Sequence, residues 1–370
     1  MIRLKNDKKT VAVAMSGGVD SSVSAIILKE KGYNVIGLSM HLLGLSPVNA
    51  EDNGTCCSMS DIIDAKRVCV RLGIPHFVIN FEDEFKKNVI DSFTEEYLKG
   101  RTPNPCIACN KIMKFDILLK RATELGAGYF ATGHYARITH NKNGQYFLLE
   151  AKDKSKDQSY VLYNLTQYTL KRIIFPVGSF YKKDIRKIAM DYGYGELSKK
   201  KDSVEICFTG SGNYHEFLSS RINGRLPEIN RGHIKNTKDE IIGKHDGIFH
   251  YTVGQRKRLG ISSKTPLYVT KINADTNDIY VGSLTECYGS KFYIKDFNII
   301  AGEHIALLPK MDLSVKIRYS SPKYKCSAAV KNDKINVKFN KPAKFITPGQ
   351  SAVLYSGMKV IGGGIIDEKL

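Results

Sequence analysis

Between residues 10 and 132, short apolar runs alternate with stretches of helical periodicity, and this alternation constrains the fold more than any other feature. Residues 10–15 (TVAVAM), 34–40 (NVIGLSM), 76–80 (HFVIN) and 129–132 (YFAT) read as strands. Residues 20–31 carry Val23, Ile26 and Ile27 at helical spacing and stop at Gly32; residues 61–72 follow Ser60 as N-cap and stop at Gly73. Further helices are expected over 85–98 and from Asn110 to Leu125, closed by Gly126. Strands separated by helices predict a doubly wound α/β unit, a parallel sheet with helices on both faces. Ligands of such sheets gather at the carboxyl ends of the strands.

The pattern then changes. Residues 136–140 and 145–150 are β runs around Asn143-Gly144, a hairpin signal. Residues 171–201 hold nine basic against three acidic residues. Later β runs are read at 248–253, 267–272, 279–282, 292–300, 313–319, 325–330, 335–339 and 352–355. Strands at this spacing with few helices predict a compact antiparallel barrel. Boundaries near 205 and 290 give three expected domains: 1–205, a small central domain 206–290, and a C-terminal β-barrel 291–370.

The first strand runs into Ser16-Gly17-Gly18-Val19-Asp20-Ser21-Ser22 and then the first helix. A Gly-Gly turn lets backbone N–H groups approach a phosphate, and the helix N-terminus adds free donors and partial positive charge. Ser21 and Ser22 offer hydroxyls, and Asp20 could hold a Mg²⁺ ion bridging phosphates. No Gly-Lys-Ser/Thr follows, so this is not a Walker A loop. The same residues would also serve a plain strand-to-helix turn. Placed after an apolar strand, SGGVDSS resembles the signature loop of the PP-loop ATP pyrophosphatases, which cleave ATP between the α and β phosphates and adenylate an oxygen of their substrate. The resemblance implies an ATP site at Ala14, Met15, Ser16, Gly17, Gly18, Val19, Asp20 and Ser21, with Met40 on the second strand and Gly133 after the fourth as further nucleotide contacts.

The chain has eight cysteines. Cys106 and Cys109 form a Cys-x-x-Cys in RTPNPCIACNKIMKF, where Pro103 and Pro105 favour an extended approach. Cys109 is expected at or just before the start of the long helix, with Lys111 and Lys114 nearby; a helix N-terminus and positive charge favour a thiolate. Cys207 lies 98 positions later in KKDSVEICFTG, after Lys199, Lys200 and Lys201. By spacing alone, Cys106 and Cys109 could be half a zinc site, a redox pair or chance. No second Cys-x-x-Cys is present to complete a four-thiolate zinc site. Cys69, Cys287 and Cys326 read as buried structural thiols. The adjacent Cys56 and Cys57 are assigned no role.

The loop, TPNPCIACNKIMKF, ATGHYAR, KDQSYVLYNL, KKDSVEICFTG, HDGIFHYTVGQRKRLGI, RYSSP and TPGQSAVLY together resemble the bacterial tRNA-uridine 2-sulfurtransferases (tRNA-specific 2-thiouridylases) over essentially the whole chain. The resemblance implies ATP-dependent thiolation of C2 of the wobble uridine in the tRNAs for Lys, Glu and Gln, with AMP and pyrophosphate released. It implies Cys109 as the nucleophile and Cys207 as the persulfide carrier, the two ending as a disulfide. Sulfur would come from a cysteine desulfurase or a sulfur-relay protein. It also implies tRNA contacts at Asn104, Pro105, Cys106, His134, Lys156, Asp157, Gln158, Arg318, Tyr319 and Gln350. Many relatives carry Asp where this chain has Cys106. That departure leaves Cys106 as a partial acid/base group and opens a second route, in which Cys106, Cys109 and Cys207 hold three irons of a [4Fe–4S] cluster and sulfide binds the fourth. A cytidine thiolase or lysidine synthetase of the same superfamily, and an RNA-binding sulfur carrier without adenylation activity, are the competing readings.

The net charge of +19 fits a tRNA partner, because phosphate contacts supply much of the affinity for nucleic acid. Gln255-Arg256-Lys257-Arg258 is a basic run in an expected turn and a candidate phosphate contact. No apolar run approaches the ~18–20 residues that span a bilayer, and the N-terminus shows no secretory pattern. A cytoplasmic enzyme is expected, and a secreted mini-domain, a membrane span and a collagen-like fibre are excluded.

Overall fold

The computed structural model describes residues 7–42, 59–200, 202, 206–209, 214–222, 231–300 and 305–369. Cys56 and Cys57 lie outside them.

Five parallel strands form the first sheet: β1 (Asp7–Ala14), β2 (Asn34–His41), β3 (His76–Asn80), β4 (Ala127–Ala131) and the two-residue β7 (Ile173–Ile174), in the order β3-β2-β1-β4-β7. Val11 pairs with Val35 on one side and Tyr129 on the other. Alternation along β1 feeds two cores. Ala12 packs with Ile36, Leu38, Phe130 and the buried faces of the 82–98 and 105–124 helices. Val11 and Val13 pack on the opposite face with α1 (Val19–Glu30), α2 (Met59–Leu72) and the helix Lys182–Asp191. The sheet is therefore covered on both faces, as the alternation predicts. The chain order reverses beside β1, with β2 on one flank and β4 on the other, so a crevice opens at the carboxyl end of β1.

Three helices differ from expectation. α2 begins at Met59, so Ser60, expected as its N-cap, lies inside its first turn. The helix over 82–98 opens one turn early and contains a π-helical stretch, Lys86–Asp91. The cysteine-bearing helix starts at Pro105, not near Asn110: Asn104 is its N-cap, with Oδ1 accepting from Cys106 N at 3.1 Å, and Pro105 occupies the first helical position. Proline is favoured there because its missing N–H is not needed. Cys106 thus sits in the first turn, and Cys109 opens a π-helical stretch, Cys109–Leu118.

The hairpin β5 (Ala136–His140) and β6 (Tyr146–Glu150), turned at Gly144 with φ +75°, does not join the parallel sheet. It extends the C-terminal sheet through β17 (Lys359–Lys369), where Lys359 pairs with Leu149. That sheet runs β12 (Tyr288–Ile299), β15 (Lys334–Lys344), β14 (Tyr324–Lys331), β13 (Leu313–Lys316), β16 (Ser351–Ser356) and β17, and β12 pairs back onto β17 to close a six-stranded antiparallel barrel. β17 was not expected, because Gly362-Gly363-Gly364 hides it. The close crossing requires those glycines: a Cβ on Gly362 would lie 2.2 Å from Asn298 O, and one on Gly364 2.4 Å from Lys295 O. Without an edge at this closure, the barrel leaves no ladder open there.

The central domain is a four-stranded sheet, β10 (Tyr268–Asn273), β11 (Asp278–Gly282), β8 (Gly232–Lys235) and β9 (Ile241–His245). The expected strand over 248–253 is instead a short 3₁₀ turn, Ile248–His250, and a loop. Its apolar residues are buried all the same, Ile248 and Tyr251 against Ile234, Val269 and Ile279. The expected strand over 313–319 ends at Lys316, because Arg318–Ser321 turns back on itself.

Candidate active site

The glycine turn is fixed from all sides. Met15 N donates to Leu38 O at 2.7 Å, Ser16 N donates to Ser21 Oγ at 3.2 Å, and the Ser21 and Ser22 hydroxyls donate to Gly18 O. Gly17 has φ +68°, and a Cβ there would lie 2.2 Å from Asp61 O at the start of α2. Gly18 caps α1 without a side-chain bond, so the first N–H groups of a 12-residue helix are left for another acceptor. Gly133 closes the other wall: a Cβ there would lie 2.7 Å from Ser21 N. Met40 is buried at the end of β2. Ala14, Met15, Ser16, Gly17, Gly18, Val19, Asp20, Ser21, Met40 and Gly133 therefore converge on the crevice beside β1.

Asp20 is engaged on both oxygens. Lys182 Nζ donates to Oδ1 at 2.9 Å and Oδ2 at 2.7 Å, and Tyr135 OH donates to Oδ1 at 2.8 Å. Lys182 also reaches Asp202 at 2.8 Å, where Lys156 (2.7 Å) and Arg186 (3.1 Å) join it. Burial raises the Asp202 carboxyl, but hydrogen bonds from Lys156 and Lys182 outweigh it and hold it down at about 2. On the far side, Lys200 Nζ bonds Gly17 O at 3.2 Å, Asp61 at 2.6 Å and Asp64 at 3.0 Å. Lys182, Tyr135 and Asp202 were not singled out from the sequence, and Lys200 was noted only in the basic run before Cys207. Their signal was diffuse: the basic stretch 171–201 contains both lysines but does not rank them.

In a parallel sheet, a helix leading into a strand starts on the side where strands end. The 105–124 helix leads into β4, so Cys106 and Cys109 lie on the same side of the sheet as the glycine turn. Phe115 of that helix packs on His134 at 5.8 Å, directly after Gly133. Cys106 is exposed, and Cys109 and Cys207 are half-buried against one common core. Phe208 anchors the Cys207 segment edge-on to Phe85 (5.9 Å) and Phe93 (5.3 Å). Asp202, paired with the Lys182 that holds Asp20, precedes Cys207 by five residues, a reach of at most about 17 Å. Burial pushes the Cys69 and Cys326 thiols up to about 12, so both stay protonated at neutral pH.

The residues assigned to tRNA contacts fall into two groups. Pro105, Cys106, Tyr319 and Gln350 surround the cysteine loop. Gln350 Nε2 donates to Thr102 O at 3.0 Å, and Thr102 N donates to Pro348 O at 2.9 Å, so the barrel grips the loop whose Asn104 caps the helix. Tyr319 is partly exposed; burial, and then the charges of Asp157 and Cys106 beside it, raise its phenol. His134, Asp157, Gln158 and Arg318 are held inward, while Lys156 is partly exposed at Asp202. His134 is buried between Phe115 and Phe175, with Nδ1 2.7 Å from Thr132 Oγ1; burial, and then the Lys114 charge, keep it well below its ordinary value and neutral. Asp157 is buried and accepts from Ala151 N and Ser159 Oγ, both at 2.8 Å. Gln158 Oε1 accepts from Tyr135 N at 2.9 Å. Arg318 donates to Val253 O (2.7 Å) and Thr347 Oγ1 (2.5 Å), joining the central domain to the barrel.

Among the described residues, no three His, Cys, Asp or Glu side chains converge on a point where they could hold a metal ion. Cys106, Cys109 and Cys207 are all described, so this arrangement does not present a three-thiolate cradle for a cluster. Asp20, the expected Mg²⁺ ligand, already binds an ammonium group on both oxygens.

Residues 9–211 match the tRNA methyl transferase HUP domain family, 216–283 the tRNA methyl transferase PRC-barrel domain and 289–366 the aminomethyltransferase beta-barrel domain. The chain is 46% identical over 360 residues to tRNA-specific 2-thiouridylase MnmA of Clostridium acetobutylicum, covering 97% of this chain and 99% of the relative. This chain belongs to the tRNA-specific 2-thiouridylase family. A second thiouridylase, from Carboxydothermus hydrogenoformans, is 43% identical and covers 98% of this chain and 99% of its own. The thiouridylases thus span all three domains, so family membership applies to the barrel that grips the cysteine loop as well as to the nucleotide crevice. Among the described residues, no helix is long and apolar enough to cross a membrane.

Proposed function

We propose that this protein is a cytoplasmic enzyme that uses ATP to replace the C2 oxygen of the wobble uridine in the tRNAs for Lys, Glu and Gln by sulfur. The observation that carries the reading is the placement, on one side of the parallel sheet, of a glycine turn with uncapped helix donors and a barrel-gripped cysteine loop. ATP binds with its phosphates on the turn formed by Ser16, Gly17, Gly18 and Ser21 and its base toward Met40 and Gly133. Lys182 and Lys200 balance the pyrophosphate charge. The uracil C2 oxygen attacks the α-phosphate, pyrophosphate leaves, and C2 now carries AMP, a far better leaving group than an oxide.

A sulfur donor, a cysteine desulfurase or relay protein, charges Cys207 as a persulfide. Its terminal sulfur attacks C2, and AMP leaves with the former base oxygen. The Cys109 thiolate attacks the Cys207 Sγ, the thiolated base departs, and a Cys109–Cys207 disulfide remains for an external dithiol to reduce. In a variant of this route, Cys109 first frees sulfide from Cys207. The persulfide route needs two of the three thiols to meet, whereas the cluster route needs all three, and no three-ligand group is present among the described residues. Mg²⁺ would neutralise charge on the ATP phosphates; near Asp20 it would have to share that carboxylate with Lys182. Cys106, exposed in the first helical turn beside Tyr319, stands at the target base. Asn104, Gln158 and His134 hold the walls in place.

Incubating the protein with ATP, Mg²⁺, a sulfur source and unmodified tRNA is expected to yield 2-thiouridine, AMP and pyrophosphate one for one. A sulfur carrier without adenylation activity yields no AMP. The lysines around Asp202 give a second expectation. Asp202 competes with phosphate for Lys182, so Asp202→Asn should tighten ATP binding by about fivefold, equivalent to ~1 kcal/mol for one partly exposed ion pair. Calorimetric titration with ATP measures this, and weaker binding would show that Asp202 builds the site instead.

A further inference from the structure

The run Gln255-Arg256-Lys257-Arg258 is left without a task by the reaction above, and it lies at the mouth of a cleft of about 560 Å³. All three domains contribute to this cleft: Tyr97 and Thr102 from the first, Lys257 and Arg258 from the central domain, and Arg318 from the barrel. None of its lining residues is acidic, while Lys257, Arg258 and Arg318 are basic.

Tyr97, Tyr214 and His215 form one wall and begin a ladder of rings that continues behind it. Tyr97 and Tyr214 lie 5.4 Å apart, Tyr214 and His215 4.0 Å, His215 and His250 5.7 Å, and His250 and Phe249 4.3 Å. The Tyr97 and Tyr214 hydroxyls bond each other and Thr252, which fixes the first rungs. Burial, and then the nearby His250 and Arg258, lower His215 to about 4, so its ring is a flat, uncharged face at neutral pH.

Two further features point to an anion. Arg318 Nε is buried without a hydrogen-bond partner in the structure, although the Nη2 of the same guanidinium is satisfied twice. Arg258 is held at φ +60°, a left-handed conformation that favours glycine over an ordinary L-residue. The strain keeps a guanidinium at the rim where a glycine would fold more easily.

We propose that this cleft binds one nucleotide of the tRNA anticodon loop next to the target uridine, its base stacked on the Tyr214–His215 wall and its phosphate between Lys257 and Arg258. This rests on the reading of the chain as a tRNA thiouridylase. Thr102 lines the cleft four residues before Cys106, a separation of at most about 14 Å, within one or two nucleotides of the target. Stacking accepts any base, so the cleft holds the loop open more than it reads sequence. A second splayed base keeps the strand from closing over the target while chemistry proceeds.

The test uses the full-length protein and synthetic anticodon stem-loops with 2-aminopurine at either neighbour of the wobble uridine, one RNA for each position. Binding should quench one of the two probes. His215→Ala should relieve that quench and weaken binding by about tenfold, in line with the loss of one stacked base, and His215→Phe should restore both. Lys257→Ala/Arg258→Gly, two exposed positions of which the second suits glycine, should lower the salt slope of binding by about 0.7–0.9, the share of one phosphate contact. Unchanged quench and slope in all variants, with the wild type still binding RNA, would overturn the cleft assignment alone. No RNA binding by the wild type would overturn the proposed function itself. A free nucleotide shares the same chemistry. With the glycine turn saturated by a non-hydrolysable ATP analogue, added AMP should leave the quench intact; relief by AMP would assign the cleft to a free nucleotide and reject the RNA reading.

Discussion

Replacing Cys207 or Cys109 by serine is expected to lower 2-thiouridine formation by at least about a thousandfold, as removal of a catalytic nucleophile does in other covalent mechanisms. A serine hydroxyl at 207 cannot carry a persulfide, and one at 109 cannot attack a sulfur–sulfur bond. The two variants should fail at different points. Cys207→Ser accepts no sulfur from the donor, whereas Cys109→Ser accepts it and stalls with the RNA joined to Cys207 through two sulfurs. Mass spectrometry of the intact protein separates these states. Cys106→Ala should keep activity within about tenfold, because under the persulfide route its thiol helps without carrying sulfur. Loss of activity in all three variants together, with iron and sulfide bound to anaerobically prepared wild type, would instead favour the cluster. Cys69 and Cys326 provide internal controls: their thiols titrate near 12, so alkylation at neutral pH should pass them over.

Gly17→Ala is expected to abolish ATP binding and to destabilise the first domain. The backbone there has φ +68°, which costs an L-residue about 1–2 kcal/mol. The new methyl would also lie 2.2 Å from Asp61 O, and such overpacking typically costs another ~1–3 kcal/mol. Relief requires α2 to move away from the turn, and α2 brings Asp61 and Asp64, which hold Lys200 against Gly17 O. The variant should therefore lose its pyrophosphate lysine along with its loop geometry. Thermal melting and ATP titration check the two parts separately. A protein that melts as the wild type does and binds ATP normally would show that the turn is only a connection.

The parallel sheet was legible because its strands are short, apolar and separated by clear stops such as Gly32, Gly73 and Gly126. Each helix stop is a glycine at positive φ, which sequence marks directly. The cysteine helix was misplaced because Pro103 and Pro105 were both read as extenders. Asn104-Pro105 is also a cap followed by a first-position proline, and that reading prevails because Asn104 bonds Cys106 N. β17 was missed because three glycines weaken strand propensity, yet only glycine permits the crossing that closes the barrel. The association of the 136–150 hairpin with the barrel is a long-range fact. Its register with β17 depends on one pairing, Lys359 with Leu149, that no local pattern encodes.

The same division holds at the site. Gly17 and Gly18 were readable from the turn chemistry, and Gly133 only through the resemblance. His134, Asp157 and Gln158 were readable as motif members, but their inward hydrogen bonds were not, since these depend on neighbours such as Thr132, Ser159 and Tyr135. Lys182 and Asp202 escaped because a lysine in a basic stretch carries no mark of the carboxylate it will meet.

The account depends on the base oxygen becoming part of the leaving group. A tRNA carrying ¹⁸O at C2 of the wobble uridine decides this in one turnover with ATP, a sulfur source and the wild-type protein. The expected product is AMP bearing one ¹⁸O on its phosphate, equal in amount to the 2-thiouridine formed. Thiouridine formed alongside unlabelled AMP would contradict adenylation of the base.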